Sequence, residues 1–400
     1  MTTTIDTLRF ATAGSVDDGK STLVGRLLHD SKSVLADQLE AVERASRSRG
    51  QDVPDLALLT DGLRAEREQG ITIDVAYRYF ATPRRRFILA DTPGHVQYTR
   101  NMVTGASTAE LAIILVDARH GVVEQTRRHA AVAALLRVPR VVLAVNKMDL
   151  VGYEEQHFIR IVEDFTRHAD QLGLSGFTSI PVSALAGDNV VDRSTHMDWY
   201  EGPALLEHLE TVPVANAAAE APPRFPVQYV IRHHETRHYA GQLLSGSLRV
   251  GDRVTIHPSG ETSEITGISL LGKERRTACA PQSISLRLAG QRDVSRGDMI
   301  ITGPDAPTLT QDITASACHL ADRPLRTGDR VLLKHTTRTV KAIVKDLHGP
   351  SQLIANDLGR ITLRTTEPLA LDDYTANRRT GAFILLDPAD GATLTAGMVT

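Results

Sequence analysis

Between residues 8 and 212, short runs of consecutive apolar residues alternate with stretches whose apolar positions recur at helical spacing. Leu8 to Ala13, Arg86 to Ala90, Leu111 to Asp117, Arg140 to Val145 and Thr178 to Val182 are the strand candidates, with helices over Gln125 to Leu136 and His157 to Leu172. Strands that lack in-and-out alternation are buried on both faces, and the helices between them supply the cover. This half therefore predicts a doubly wound, mostly parallel α/β sheet. A helix over Pro203 to Val212, with proline at its first position, follows, and the Ala/Pro-rich stretch Pro213 to Pro223 reads as a linker. After Phe225 the texture changes to short β-type runs cut by glycine turns, which predicts an all-β half. Leu248-Arg-Val-Gly-Asp-Arg-Val254 recurs as Leu325-Arg-Thr-Gly-Asp-Arg-Val331, each with Gly-Asp placed as a turn, and suggests two small barrels. Two unrelated hairpins using the same turn chemistry would leave the same trace. The expected division is 1–212 for the α/β domain, 213–224 for the linker, 225–305 for the first barrel and 306–400 for the second.

Composition narrows the class. The 400 residues, 42% hydrophobic and 4% aromatic, suffice for two or three domains with sizeable cores. Forty-five Lys plus Arg against 48 Asp plus Glu give a net charge of −3, which excludes a basic coat for nucleic acid. Cys279 and Cys318 are too few for a disulfide framework or a four-cysteine zinc site, and are expected as buried small hydrophobes in a reducing compartment. Met1 to Arg9 has no apolar h-region, and no apolar run approaches the roughly 18 residues of a membrane span. A cytoplasmic, unprocessed chain with no membrane partner is expected.

The candidate chemistry lies in the first domain. Gly14-Ser15-Val16-Asp17-Asp18-Gly19-Lys20-Ser21, followed by Thr22, fits G-x-x-x-x-G-K-[ST] between a strand and an amphipathic helix. Such a loop turns backbone N–H groups inward as an anion nest. Lys20 reaches the terminal phosphates of a nucleoside triphosphate, and the Ser21 hydroxyl ligates Mg²⁺. Asp91-Thr92-Pro93-Gly94-His95 closes a strand, where a carboxylate holds the magnesium through water and the Gly94 N–H meets the γ-phosphate. Asn146-Lys147-Met148-Asp149 follows the next apolar strand but one. A buried Asp149 accepts from N1–H and N2–H₂ of guanine and finds no such pair on adenine, so GTP is the expected nucleotide. Ser183-Ala184-Leu185 aims the Ala184 N–H at guanine O6.

These elements in this order, with Gly70-Ile-Thr72-Ile73 between the first two, resemble the translational GTPase superfamily, whose first domain is followed by two β-barrels. Within it the chain most resembles the GTP-hydrolysing subunit of heterodimeric bacterial sulfate adenylyltransferase, the CysN type, over residues 5 to 400. Ser15-Val-Asp-Asp-Gly-Lys-Ser-Thr-Leu23, Leu58-Leu-Thr-Asp-Gly-Leu-Arg-Ala-Glu-Arg-Glu-Gln-Gly-Ile-Thr-Ile-Asp74, Gln97-Tyr-Thr-Arg-Asn-Met102, Lys334-His-Thr-Thr-Arg-Thr339 and Glu367-Pro-Leu-Ala-Leu-Asp-Asp-Tyr374 carry it. The resemblance implies that Thr72 closes on Mg²⁺ in the GTP state and that His95 orients the attacking water. It also implies a small catalytic partner subunit that joins sulfate to ATP, giving adenosine 5′-phosphosulfate and diphosphate, driven by GTP hydrolysis on this chain. The chain departs from the family at Val96, where glutamate is expected, at His238, where glycine is expected, and in lacking tryptophan near Cys318 to Arg326. A paralogue serving a specialised sulfation pathway, a tRNA-carrying translation factor and a nucleotide-binding scaffold without turnover stay open as alternatives. No second phosphate-loop match precedes Thr400, so no kinase step is expected.

Other clusters read more plainly. His233, His234 and His238 lack the carboxylate or cysteine spacing of a metal site. Arg84-Arg85-Arg86 reads as a solvated hairpin edge, and nothing singles out Arg64, Arg67 or Arg78 as an arginine finger.

Overall fold

The computed structural model describes residues 6–32, 36–48, 54, 56–59, 75–92, 99–174, 176–213, 217–233 and 236–400, in two compact units, Met1–Val214 and Ala215–Thr400. The first unit runs β1 (Thr7–Ala13), α1 (Lys20–Asp30), α2 (Ala36–Ser48), β2 (Ala76–Ala81), β3 (Arg86–Asp91), α3 (Thr99–Ser107), β4 (Leu111–Asp117), α4 (Glu124–Leu135), β5 (Arg140–Asn146), α5 (Glu155–Gln171), β6 (Thr178–Pro181) and α6 (Leu205–Thr211). The five strands expected from sequence all form. The sheet order is β2-β3-β1-β4-β5-β6, parallel except for β2. All seven residues of β4 are buried, as its unbroken apolar run requires. Leu23, Val24, Leu27 and Leu28 form the buried face of α1 against this sheet.

One strand lies outside the expected set, and two local expectations are corrected. β2, with three exposed and two half-exposed positions and no continuous apolar run, is an antiparallel edge strand whose Phe80 stacks on Phe87 with centroids 4.6 Å apart. Arg85 is not solvated: it is 8% exposed, and Nη1 donates to the carbonyls of Leu209 (2.9 Å) and Val212 (2.6 Å), satisfying the end of α6. Pro203 lies before the N-cap Ala204 of α6, not in its first turn.

The second unit is all β after a short helix, Ala217–Glu220, inside the stretch expected to be a linker. Strands between Arg224 and Ile301 form an eight-stranded sheet. Its two end strands, Arg224–Pro226 and Tyr229–His233, follow one another in the chain, and its hydrogen-bond ladder does not close. Strands from Thr308 to Val399 close a six-stranded barrel around Leu333, Ile361, Leu363 and Leu385. The repeated heptapeptide is one turn used twice. Gly251 and Gly328 have φ of 97° and 91°, and the Asp252 and Asp329 carboxylates accept from the N–H of Arg249 (2.7 Å) and Arg326 (2.9 Å). Leu248, Val254, Leu325 and Val331 are buried on either side. Cys318 is buried as expected, but Cys279 is exposed because it ends an edge strand.

Candidate nucleotide site

Every element of the candidate site that the structure describes lies at the carboxyl ends of the parallel strands. At β1 the chain order reverses, with β3 on one side and β4 on the other, and open α/β sheets place ligands at such a point. From Ala13 the backbone turns through Gly14–Gly19 into α1, which begins at Lys20 and offers its amide donors and positive dipole end there. The turn needs φ of 64° at Asp17 and 93° at Gly19. At Gly19 a Cβ would also lie 2.4 Å from Asn146 Nδ2, so only glycine fits. Val16, at the tip, is exposed.

Lys20 is 7% exposed, and its ammonium folds back across the loop to donate to Gly14 O (2.7 Å) and Ser15 O (2.8 Å). Burial pushes its pKa down, while the Asp91, Asp18 and Asp17 carboxylates pull the other way. Asp18 accepts the Ser15 N–H at 2.5 Å, and burial raises its pKa against that hydrogen bond and Lys20. Ser15 Oγ is buried and has no hydrogen-bond partner among the described residues. Ser21 and Thr22 follow in the first turn of α1, half-exposed.

The β1–β3 register sets Thr12 beside Asp91, and Thr12 Oγ1 donates to Asp91 Oδ1 at 2.9 Å. Thr92 Oγ1 in turn donates to Thr12 O. These bonds fix a 2% exposed carboxylate at the edge of the phosphate loop. The expected site residues Thr72, Pro93, Gly94 and His95 lie outside the described residues.

On the base side Asn146, 1% exposed, joins two loops: its Nδ2 donates to Asp18 O (2.7 Å) and its Oδ1 accepts the Ala184 N–H (2.9 Å). The Ala184 N–H, expected to face guanine O6, is therefore committed to Asn146. Lys147, at φ 64°, donates to Asp17 O and pairs with Asp117 Oδ2 at 3.0 Å. Met148 is buried core, and Leu185 is 65% exposed. Asp149 is half-exposed, not buried, and its Oδ1 accepts Ser183 Oγ at 2.6 Å.

Asp117 also lies against the candidate site, through Lys147, though motif spacing does not single it out. It ends β4 opposite Asn146 in register and is 2% exposed. Arg119 donates to it from its backbone N–H (2.9 Å) and from Nη2 (2.7 Å). Burial alone would raise its pKa, but the Arg119 and Lys147 contacts outweigh it and hold the carboxyl far below the usual range. A carboxylate at the end of a buried parallel strand was the available signal.

The fit to a nucleotide and a hard cation is good on this geometry. Ser21 and Asp91 are oxygen donors of the kind Mg²⁺ takes alongside phosphate oxygens. The Asp91, Asp18 and Asp17 carboxylates outnumber the lysines that face them, Lys20 and Lys147, a surplus that an added cation would offset. Residues 6–220 match the family model of the elongation factor Tu GTP binding domain, and 312–400 match the GTP-eEF1A C-terminal domain-like model. A bifunctional enzyme CysN/CysC of Mycobacterium tuberculosis is 55% identical over 98% of this chain and 67% of its own length. The bifunctional enzyme NodQ of a Rhizobium species is 48% identical over 98% of this chain and 63% of its own. Sulfate adenylyltransferase subunit 1 of Salmonella paratyphi C is 47% identical over 98% and 85%. Among the described residues no helix is long and apolar enough to cross a membrane.

Proposed function

The chain belongs to the sulfate adenylyltransferase subunit 1 (CysN) family of GTPases, with a GTP-binding domain of elongation factor Tu type, and from that membership we propose how its residues serve the activity. It is the GTP-hydrolysing regulatory subunit of a sulfate-activating enzyme. A separate small catalytic subunit adenylylates sulfate with ATP in the cytoplasm, and GTP turnover here drives that uphill step.

The observation that carries this reading is the clamp made by Asn146 and Lys147, which binds the guanine-reading Asn146–Asp149 segment directly to the phosphate loop at Asp18 O and Asp17 O. Base identity and phosphate binding are thereby registered by one rigid unit. Backbone amides of Gly14–Gly19 cradle the phosphates, with Ser15, Val16, Asp17 and Asp18 forming the turn, and Lys20 exchanges its two carbonyl partners for terminal phosphate oxygens. Ser21, Asp91 and Thr72 would hold Mg²⁺, which would supply neutralisation of phosphate charge. Thr92, Pro93 and Gly94 place the γ-phosphate contact, His95 orients the attacking water, and Asp149 accepts from the guanine edge. A partner responds to the nucleotide only through contacts that differ between the GTP and GDP forms, and the segments carrying Thr72 and His95 supply them.

Coexpression with the small subunit, followed by assay of sulfate-dependent diphosphate release, tests the function. GTP is expected to raise that release, and a His95→Ala chain to remove the stimulation while leaving GTP bound. Release indifferent to GTP, or copurification with aminoacyl-tRNA, would overturn the reading in favour of a translation factor.

A further inference from the structure

The turn Ser183–Asp188 bears on the guanine edge twice. Ser183 Oγ orients Asp149, and the Ala184 N–H fixes Asn146. Two side chains outside every nucleotide motif hold that turn. From α1, Arg26 Nε donates to Ala184 O at 3.2 Å and Nη2 donates to Leu185 O, while Nη1 lies 3.8 Å from Asp30, which steadies the guanidinium. The side chain is 17% exposed, so the fork is largely shielded from water. At the other end, Asp188 closes the turn by accepting the Ser183 N–H at its carbonyl (3.1 Å). Its carboxylate, 9% exposed, accepts Tyr153 OH (3.0 Å) and Ser194 Oγ (2.6 Å) and lies 3.0 Å from His196 Nδ1. The Tyr153 ring stacks on His196 with centroids 4.7 Å apart.

We infer that Arg26 is a positioning residue for guanine discrimination: its forked contact with the Ala184 and Leu185 carbonyls sets the turn that aims Asp149 and Asn146. The chain of contacts is continuous, from Arg26 through Ala184 to Asn146 and the phosphate loop, and through Ser183 to Asp149. A planar fork suits two adjacent carbonyls, whereas a lysine ammonium reaches one of them without fixing the plane. Because α1 starts at the phosphate loop, the same helix that carries Lys20 also sets the base pocket. The inference rests on the guanine-nucleotide reading above.

The test compares GDP with IDP, which lacks the exocyclic amine, by competition binding and stopped-flow dissociation on the full chain and on Arg26→Gln and Arg26→Lys. Melting temperature is recorded without nucleotide. Arg26→Gln is expected to weaken GDP about tenfold, mainly through faster dissociation, and IDP less, so that the GDP/IDP preference falls at least threefold, with Arg26→Lys intermediate. A purely structural role would lower the melting temperature and weaken both nucleotides alike. An unchanged GDP/IDP ratio in both variants overturns the inference, and failure of the wild-type chain to bind GDP at all overturns the underlying reading instead.

Discussion

Asn146→Ala probes the join between phosphate loop and base pocket without any nucleotide present. The side chain is 1% exposed, and its loss strands two groups, the Asp18 carbonyl and the Ala184 N–H, in a nearly dry environment. A buried polar group left without its partner costs about 1–3 kcal/mol, so the pair costs about 2–6 kcal/mol. For a folded unit of 150–250 residues each kcal/mol shifts the melting midpoint by about 2–4 °C. The transition of the Met1–Val214 unit should therefore fall by at least about 4 °C in scanning calorimetry of nucleotide-free protein. Asn146→Asp, which keeps an acceptor for Ala184 but sets a carboxylate against the Asp18 carbonyl, should fall as far. A shift below about 2 °C in both variants, with GDP affinity lost, would refute the tie and leave Asn146 as a ligand contact alone.

Four further outcomes are expected. Lys20→Ala should abolish tight triphosphate binding, since the backbone donors then face the terminal phosphates without a cation; retained affinity in equilibrium dialysis would contradict this. Asp149→Asn should move preference from guanosine to xanthosine nucleotides, because the amide donates to the added carbonyl, and unchanged selectivity in a competition assay would place the base pocket elsewhere. His129 is 3% exposed, and burial, with Lys20 adding, pushes its pKa down to about 3. The native imidazole then stays neutral while the unfolded one takes a proton below about pH 6.5. Stability is lost as pH falls from there toward 3, by up to about 1.4 kcal/mol per pH unit, and His129→Gln should flatten that slope in urea titrations. Burial, then Asp357, raises the Cys318 thiol to about 12, so a thiol reagent at pH 8 should label Cys279 alone until the chain is unfolded.

The phosphate loop and the strands of the first unit were legible because each is local: a strand buried on both faces needs an unbroken apolar run, and a nest needs its glycines. What the sequence hid depends on distant partners. Arg85 looks like one of three surface arginines until the carbonyls at the end of α6 arrive beside it, and Arg26 looks like an ordinary polar position of α1 until the Ala184 turn lies over it. The commitment of the Ala184 N–H to Asn146, and the partial exposure of Asp149, follow from side-chain packing that motif spacing does not encode. In the second unit the heptapeptide repeat marked both turns, since Gly at positive φ and Asp as acceptor are local demands, yet whether the flanking sheet closes its ladder is set by register.

Titration of the purified wild-type chain with GDP and ADP in magnesium buffer tests guanine specificity most directly. One GDP should bind per chain at least about a hundredfold more tightly than ADP, since two hydrogen bonds to a carboxylate at about 1.5 kcal/mol or more each are lost with the wrong base. Equal affinity for the two, or no heat from either, would contradict it.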